Sequence, residues 1–165
     1  MSKADIKIVD VGGKSNTPVI VCNTEGGETA IYAGEPVKFK TAGSNYVIPV
    51  ADAEPVIGTT VAVVGIAVSD STHTASADGT VQVALVDSST ILRCKAKTST
   101  AADTEAEILA LKGKRCIFDL TSSVYTVDTA DTGAATAGLL IVGGDHNTAS
   151  IDFVIRPSAL EGPIA

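Results

Sequence analysis

The sequence is poor in aromatic and charged residues. Its 165 residues include no tryptophan, three tyrosines, three phenylalanines and one methionine. Surfaces that bind carbohydrate or stack nucleic-acid bases rely on aromatic rings, so both kinds of surface are disfavoured. Charged residues make up 19% of the chain, below the roughly 25% usual in soluble domains. This deficit indicates that part of the surface is covered by something other than water.

No hydrophobic run is long enough to cross a membrane. The longest run, Val61–Val68, is less than half of the about 20 residues that a membrane-spanning helix needs. The first residues, Met1–Lys7, lack the apolar core of a secretory signal and include an acid at Asp5. We therefore expect no membrane partner, and synthesis in the cytoplasm.

Cysteine is also scarce. Cys22, Cys94 and Cys116 are odd in number and widely spaced, which favours small buried side chains in a reducing compartment over a disulfide framework. The sequence has no Cys-x-x-Cys pair, so a zinc site is not expected. We predict neither a metal ion nor another cofactor.

The balance of charge is acidic, and the basic residues are clustered. The net charge of −7 disfavours nucleic acid as a partner, because such proteins carry a basic surface. Half of the basic residues lie between Arg93 and Arg115, where Arg93, Lys95 and Lys97 alternate with smaller residues. This spacing places the three cations on one face of a strand. They form either a solvated face, a guard on an exposed edge strand, or a stripe that docks on an acidic protein surface.

Short runs of β-branched residues, bounded by Gly, Asn, Asp, Ser or Pro, recur along the chain. Their spacing is typical of an all-β protein, either a sandwich or a barrel. The segment Val61–Val68 is apolar at successive positions, so both faces are expected to be buried at the centre of the molecule or in an interface. The predicted strands are Ile6–Val11, Pro18–Asn23, Pro36–Lys40, Tyr46–Val50, Thr60–Val68, Thr80–Val86, Thr90–Lys97, Arg115–Leu120, Val124–Val127, Gly138–Val142 and Ile151–Arg156.

One segment departs from the β pattern. Around residues 104–112, Thr104 and Glu107 have the spacing of a capping box, and Gly113 follows as a stop signal. We predict one short helix there. Residues 15–165 are predicted to form a single β domain. Residues 1–14 are either an arm that pairs with a neighbouring molecule or the first strand of this domain.

The two histidines do not indicate a catalytic site. His73 follows an acid and a serine in the segment Asp70–Thr74, but no nucleophile-elbow turn surrounds these residues. His146 follows the pair Gly143-Gly144 and has turn-forming neighbours. We interpret Gly143-Gly144 and Gly26-Gly27 as hairpin turns.

The loop acids do not match a known metal-binding motif either. Asp128, Asp131 and Asp145 lack the alternate spacing and terminal glutamate of an EF-hand. Because the chain has few convergent polar or titratable groups, we expect a binding or structural protein rather than an enzyme, with no catalytic residues.

An ordered set of motifs between residues 34 and 156 resembles the small capsid decoration, or cement, proteins of tailed bacteriophages. The set begins with Gly34–Lys38 and Gly58-Thr59, continues with Val64–Val68 and a Ser/Thr-rich loop, and leads into Ala77–Val83. A short helix, an acidic Thr-rich loop and the run Gly138–Gly143 follow in compatible order.

The resemblance implies a β-barrel or β-tulip-like protein that binds the outside of an assembled phage head. It further implies a homotrimer, the major capsid protein as partner, a place on the virion exterior after synthesis in the host cytoplasm, and no catalytic residues. Arg93, Lys95 and Lys97 are the candidate capsid contacts. The alternatives are another virion subunit, such as a head-completion or tail-tube protein, and a carbohydrate-binding surface module.

Overall fold

The computed structural model describes residues 6–12, 16–59, 62–130 and 135–160, and within them the protein is all-β. Every predicted strand has a counterpart, and the predicted helix is present; a second short helix was not predicted. The strands are β1 (Lys7–Asp10), β2 (Val19–Thr24), β3 (Pro36–Phe39), β4 (Val47–Pro49), β5 (Val63–Ala67), β6 (Gly79–Leu85), β7 (Ile91–Lys95), β8 (Arg115–Thr121), β9 (Val124–Asp128), β10 (Leu139–Asp145) and β11 (Ser150–Ile155). The helices are α1 (Glu105–Leu111) and α2 (Pro157–Leu160).

The strands form two antiparallel sheets. One has six strands in the order β1-β7-β11-β10-β8-β9, and the other has five in the order β2-β6-β5-β3-β4. Single parallel bridges, Asn23 to Tyr46 and Ala96 to Val127, bring non-adjacent strands together. Neither sheet is closed into a barrel. Of the two predicted architectures, the arrangement is consistent with the sandwich, and the barrel is wrong.

Strand β5 lies in the middle of the five-stranded sheet and is buried at all its positions. Its Val63 and Ile66 belong to a core that also contains residues of the six-stranded sheet, such as Leu92 and Ile155. Val64 and Ala67 of the same strand belong to a second, smaller core. The two-faced burial expected for this run is therefore confirmed for Val63–Ala67 at the centre of the molecule, whereas Val68 at its end is exposed. Of the predicted segment, residues 60 and 61 lie outside the described residues.

Helix α1 begins with the predicted capping box. The Thr104 hydroxyl accepts a hydrogen bond from the Glu107 backbone N–H, and the Glu107 carboxylate accepts one from the Thr104 backbone N–H, at 3.3 and 3.0 Å. These bonds satisfy donors that the first turn of a helix leaves unpaired. Leu111 is buried and Ile108 packs against the larger core, so the helix covers one end of the six-stranded sheet.

The start of the chain pairs within the molecule. Strand β1 is antiparallel to β7 at the edge of the six-stranded sheet, and Ile6 is buried in the core. Residues 7–10 are thus an edge strand of the chain's own sheet, while residues 1–5, 13 and 14 lie outside the described residues. Because β1 covers β7 on one side and β11 covers it on the other, β7 is not an edge strand. The edge-guard interpretation of Arg93, Lys95 and Lys97 is therefore wrong.

Candidate interaction surface

The three predicted contact residues share one face, as the sequence pattern indicated. Arg93 and Lys95 lie on β7 on either side of the buried Cys94, and Lys97 follows the buried Ala96 just beyond the strand. The alternation of buried and accessible positions turns the cations away from the core. The structure therefore places all three side chains on one accessible surface, which we call the β7 face.

Arg93 is held by carboxylates of the same molecule. Asp152 lies directly opposite on β11, and its two oxygens accept bonds from Nε and Nη2 of Arg93 at 2.6 and 2.8 Å. Asp145 Oδ2 lies 3.7 Å from Nη1. This bidentate geometry is the strong form of a carboxylate–guanidinium pair. The hydrogen bonds that Arg93 donates to Asp152 raise the pKa of Arg93.

Lys97 is paired in a similar way. Its Nζ lies 2.7 Å from Asp119 Oδ1 and 2.8 Å from Asp128 Oδ2, on β8 and β9. Burial of the Asp119 carboxylate opposes its ionisation, but hydrogen bonds from Lys97, Thr121 and Thr126 outweigh this effect and lower the pKa of Asp119. The third cation, Lys95, donates to the backbone carbonyl of Thr148.

The β7 face therefore carries more acidic than basic groups. Three cations stand beside the carboxylates of Asp119, Asp128, Asp145 and Asp152. The sequence pattern predicted that the cations share a face. The carboxylates belong to strands that are distant in the chain, and no pattern in the sequence around the cations predicts them. Contact between the β7 face and a capsid stays a prediction. The net charge of the β7 face provides no attraction to an acidic surface.

The segment that contains His73 serves to hold two loops together. Ser71 Oγ accepts a hydrogen bond from the Ile31 N–H at 3.0 Å, and Asp70 Oδ1 accepts one from the Ala33 N–H at 2.9 Å. The His73 ring nitrogen Nε2 lies 3.0 Å from the backbone carbonyl of Glu28. These three side chains thus bond to the backbone of the 25–35 loop rather than to one another.

The remaining candidate ligands are also engaged in local structure. Asp145 caps the turn His146–Thr148 by accepting from the Asn147 N–H at 3.1 Å, and Asp128 pairs with Lys97. Asp131 lies outside the described residues. Within the described ranges, no three His, Cys, Asp or Glu residues are grouped so that they could hold a metal ion. The three cysteines are buried and free, as predicted, and burial raises the pKa of Cys116.

An apolar surface that sequence reasoning missed lies on strand β2. Val19, Ile20 and Val21 are 53%, 40% and 66% exposed, although β2 is a regular strand paired with β6. Val68, which is 46% exposed, lies two strands away in the same sheet, and the polar Gln82 of β6 separates it from Val21. We call the exposed side chains of Val19, Ile20 and Val21 the β2 surface; because side chains alternate along a strand, Val19 and Val21 lie on one face of it and Ile20 lies on the other.

The β2 surface also borders a strand edge. Strand β2 is the outermost strand of its sheet, so one row of its backbone groups points away from β6. The pattern of β-branched residues predicted a strand here but contains no information on its position in the sheet. The signal that could have found the surface is the absence of charge from Pro18 to Thr24.

No family model matches the chain, and no curated protein is detectably similar to it. Among the described residues, no helix has the length and apolar character required to span a membrane.

Proposed function

We propose that this protein is a decoration, or cement, protein of a tailed-phage head, which binds the outer surface of the assembled shell as a homotrimer. The observation that carries the proposal is the β2 surface. Exposed apolar groups that lie together on a protein surface mark sites of protein interaction, and this chain combines them with an acidic charge and few charged residues. The resemblance of the ordered motifs between residues 34 and 156 to capsid decoration proteins supports this specific function.

The proposed mechanism is mechanical and involves no chemical step. A protein that binds only the assembled shell stabilises it by mass action, by about 2.7 kcal/mol per site when its free concentration is 100 times the dissociation constant. Binding across neighbouring capsid subunits would oppose their separation under the pressure of packaged DNA. Several weak contacts on one molecule would increase this effect through their high effective concentration.

The β7 face is the proposed contact with the major capsid protein. Since Arg93 and Lys97 are already paired with carboxylates, their contribution would be to fix orientation through complementary charges rather than to provide net attraction. Lys95 is the cation of this face that bonds to a backbone carbonyl instead of a carboxylate. It is therefore the residue best placed to bind an acidic group on a capsid.

Co-sedimentation with heads built from the major capsid protein of the same genome tests the proposal. We expect the protein to pellet with assembled heads, to stay in solution with unassembled capsid subunits, and to raise the temperature at which heads release DNA. Lys95→Glu should weaken binding at least tenfold, whereas Lys112→Glu, at the exposed end of α1, should bind like the wild type. Failure of the wild-type protein to bind heads would overturn the proposed function, and equal binding by both variants would remove the β7 face from it.

A further inference from the structure

We propose that the free edge of β2 pairs antiparallel with the β2 strand of a second copy of this chain, with the two Ile20 residues facing each other across a two-fold axis. This pairing names the partner of the β2 surface. It rests on the proposed function only for its role, which is to link neighbouring decoration proteins on the shell. It adds a two-fold contact to the trimer that the resemblance implies.

The backbone of β2 determines which groups are available. The Leu85 N–H donates to the Pro18 carbonyl at 2.8 Å, so residues 18, 20, 22 and 24 direct their backbone groups toward β6, and residues 19, 21 and 23 direct theirs outward. Asn23 meets Tyr46 in an isolated bridge. Within the described residues, no strand pairs with this edge at Val19 or Val21.

These outward groups match a second copy in one register. If Val19 of one copy pairs with Val21 of the other, the symmetric pair forms as well, and each pair exchanges two N–H···O bonds. The register is centred on Ile20, which then faces Ile20 of the second copy as a non-hydrogen-bonded pair. Four backbone hydrogen bonds form, and the exposed valines and isoleucines cover one another.

Among the edge strands of the described residues, β2 lacks the features that prevent pairing with another chain. Natural proteins guard edge strands with charge, proline or short length. The other edge strands follow this rule: β1 carries Lys7 and Asp10, β9 ends with Asp128, and β4 has three residues and ends with Pro49. The strand β2 contains no charged residue.

The absence of charge on β2 permits a second copy as the occupant. Two molecules of net charge −7 repel each other wherever carboxylates meet, but an uncharged segment can approach its own copy without this cost. The two-fold symmetry supplies each strand with a partner of the same length, hydrogen-bonding pattern and apolar character. No other chain is required to satisfy the edge.

Cysteine cross-linking tests the register. Across a non-hydrogen-bonded pair the Cα atoms lie about 4.5 Å apart, which is within the range that a disulfide spans. Under mild oxidation, Ile20→Cys should form a covalent dimer in high yield. In this register residue 21 of one copy is displaced by two positions from residue 21 of the other. Val21→Cys should therefore give at least fivefold less covalent dimer. Leu109→Cys, 70% exposed on α1, and the wild-type protein with its buried cysteines should not cross-link.

Sedimentation equilibrium supplies an independent measurement. Ile20→Lys should halve the mass of the wild-type assembly, and Leu109→Lys should leave it unchanged. The pairing is overturned if Ile20→Cys cross-links no faster than Leu109→Cys, or if Ile20→Lys leaves the mass unaltered. If Ile20→Lys abolishes binding to heads without changing the mass in solution, β2 receives a capsid strand instead, and the proposed function stands. If cross-linking succeeds but heads are not bound, the pairing stands and the proposed function fails.

Discussion

Asp119 is a nearly buried carboxylate whose charge depends on its neighbours. Lys97 lies 2.7 Å from one oxygen, and the Thr121 hydroxyl donates to the other at 2.8 Å. Burial alone would raise the pKa of this carboxyl, but the hydrogen bonds to its charged form lower it below the usual value of 3.8. A group with a lowered pKa in the folded state stabilises the fold at every pH above its unfolded value.

Replacing Asp119 with asparagine should make the protein less sensitive to acid. At pH 7 we expect Asp119→Asn to lower the free energy of unfolding by about 1 to 2 kcal/mol, because a charge-assisted hydrogen bond is lost. The stabilisation by the wild-type carboxylate is fully present above about pH 4 and is lost as the pH falls through the lower, folded-state pKa. Urea unfolding at pH 7 and at pH 3 measures the difference.

The control is Asp10→Asn, a carboxylate on the exposed edge strand β1 that accepts from the Gly12 N–H. It should change both free energies by less than about 0.5 kcal/mol. A difference between wild type and Asp119→Asn that is as large at pH 3 as at pH 7 would contradict the ionic role of Asp119.

Helix α1 packs on β10 through a glycine. A Cβ atom on Gly144 would lie 2.4 Å from the Ser150 carbonyl oxygen and 2.6 Å from Ile108 Cδ1. Gly143 and Gly144 are strand residues of β10, and the connection to β11 is made by the turn His146–Thr148. The expectation that this glycine pair forms the hairpin turn is therefore wrong. Gly144 instead allows close approach of the helix and the neighbouring strand.

An alanine at position 144 should loosen this packing. We expect Gly144→Ala to lower the free energy of unfolding by about 1 to 3 kcal/mol, since the backbone carbonyl of Ser150 must move. Gly143→Ala is the matched control, because its Cβ would be 3.9 Å from its nearest neighbour, Asp152. Equal losses in the two variants, measured by urea unfolding, would show that strand propensity rather than the helix contact is responsible.

The two sheets unfold together if their shared core is continuous. Ile66 of the five-stranded sheet belongs to the same core as Phe118 and Phe153 of the six-stranded sheet, and these two rings pack edge to face at 5.5 Å between centroids. The Tyr125 hydroxyl also donates to the Val50 carbonyl, which joins β9 to the segment after β4.

A large-to-small change at this junction should destabilise the whole molecule. Ile66→Ala is expected to lower the free energy of unfolding by about 2 to 5 kcal/mol while calorimetry still records a single transition. Leu109→Ala, at an exposed position of α1, is the control and should cost much less. Two separate transitions in Ile66→Ala, with one sheet retaining slow amide exchange, would show that the sheets are independent units.

Features that depend on neighbours in the chain could be predicted from the sequence. The alternation of β-branched residues located the strands, Thr104 and Glu107 located the start of α1, and the apolar run around Ile66 indicated burial on both faces. These signals work because strand periodicity and helix capping act over a few residues. Helix α2 spans four residues, too few to show a helical period, and was missed.

Features that depend on strand order could not be predicted. Whether β2 or β7 lies at an edge is a matter of which distant segments pair, and the same alternating pattern suits an edge and a central strand. For this reason Arg93 and Lys97 proved to be paired with carboxylates of Asp119, Asp128 and Asp152. The uncharged Val19–Val21 proved to be exposed. Local chemistry encodes the elements, and long-range pairing decides which of their faces and edges are left for a partner.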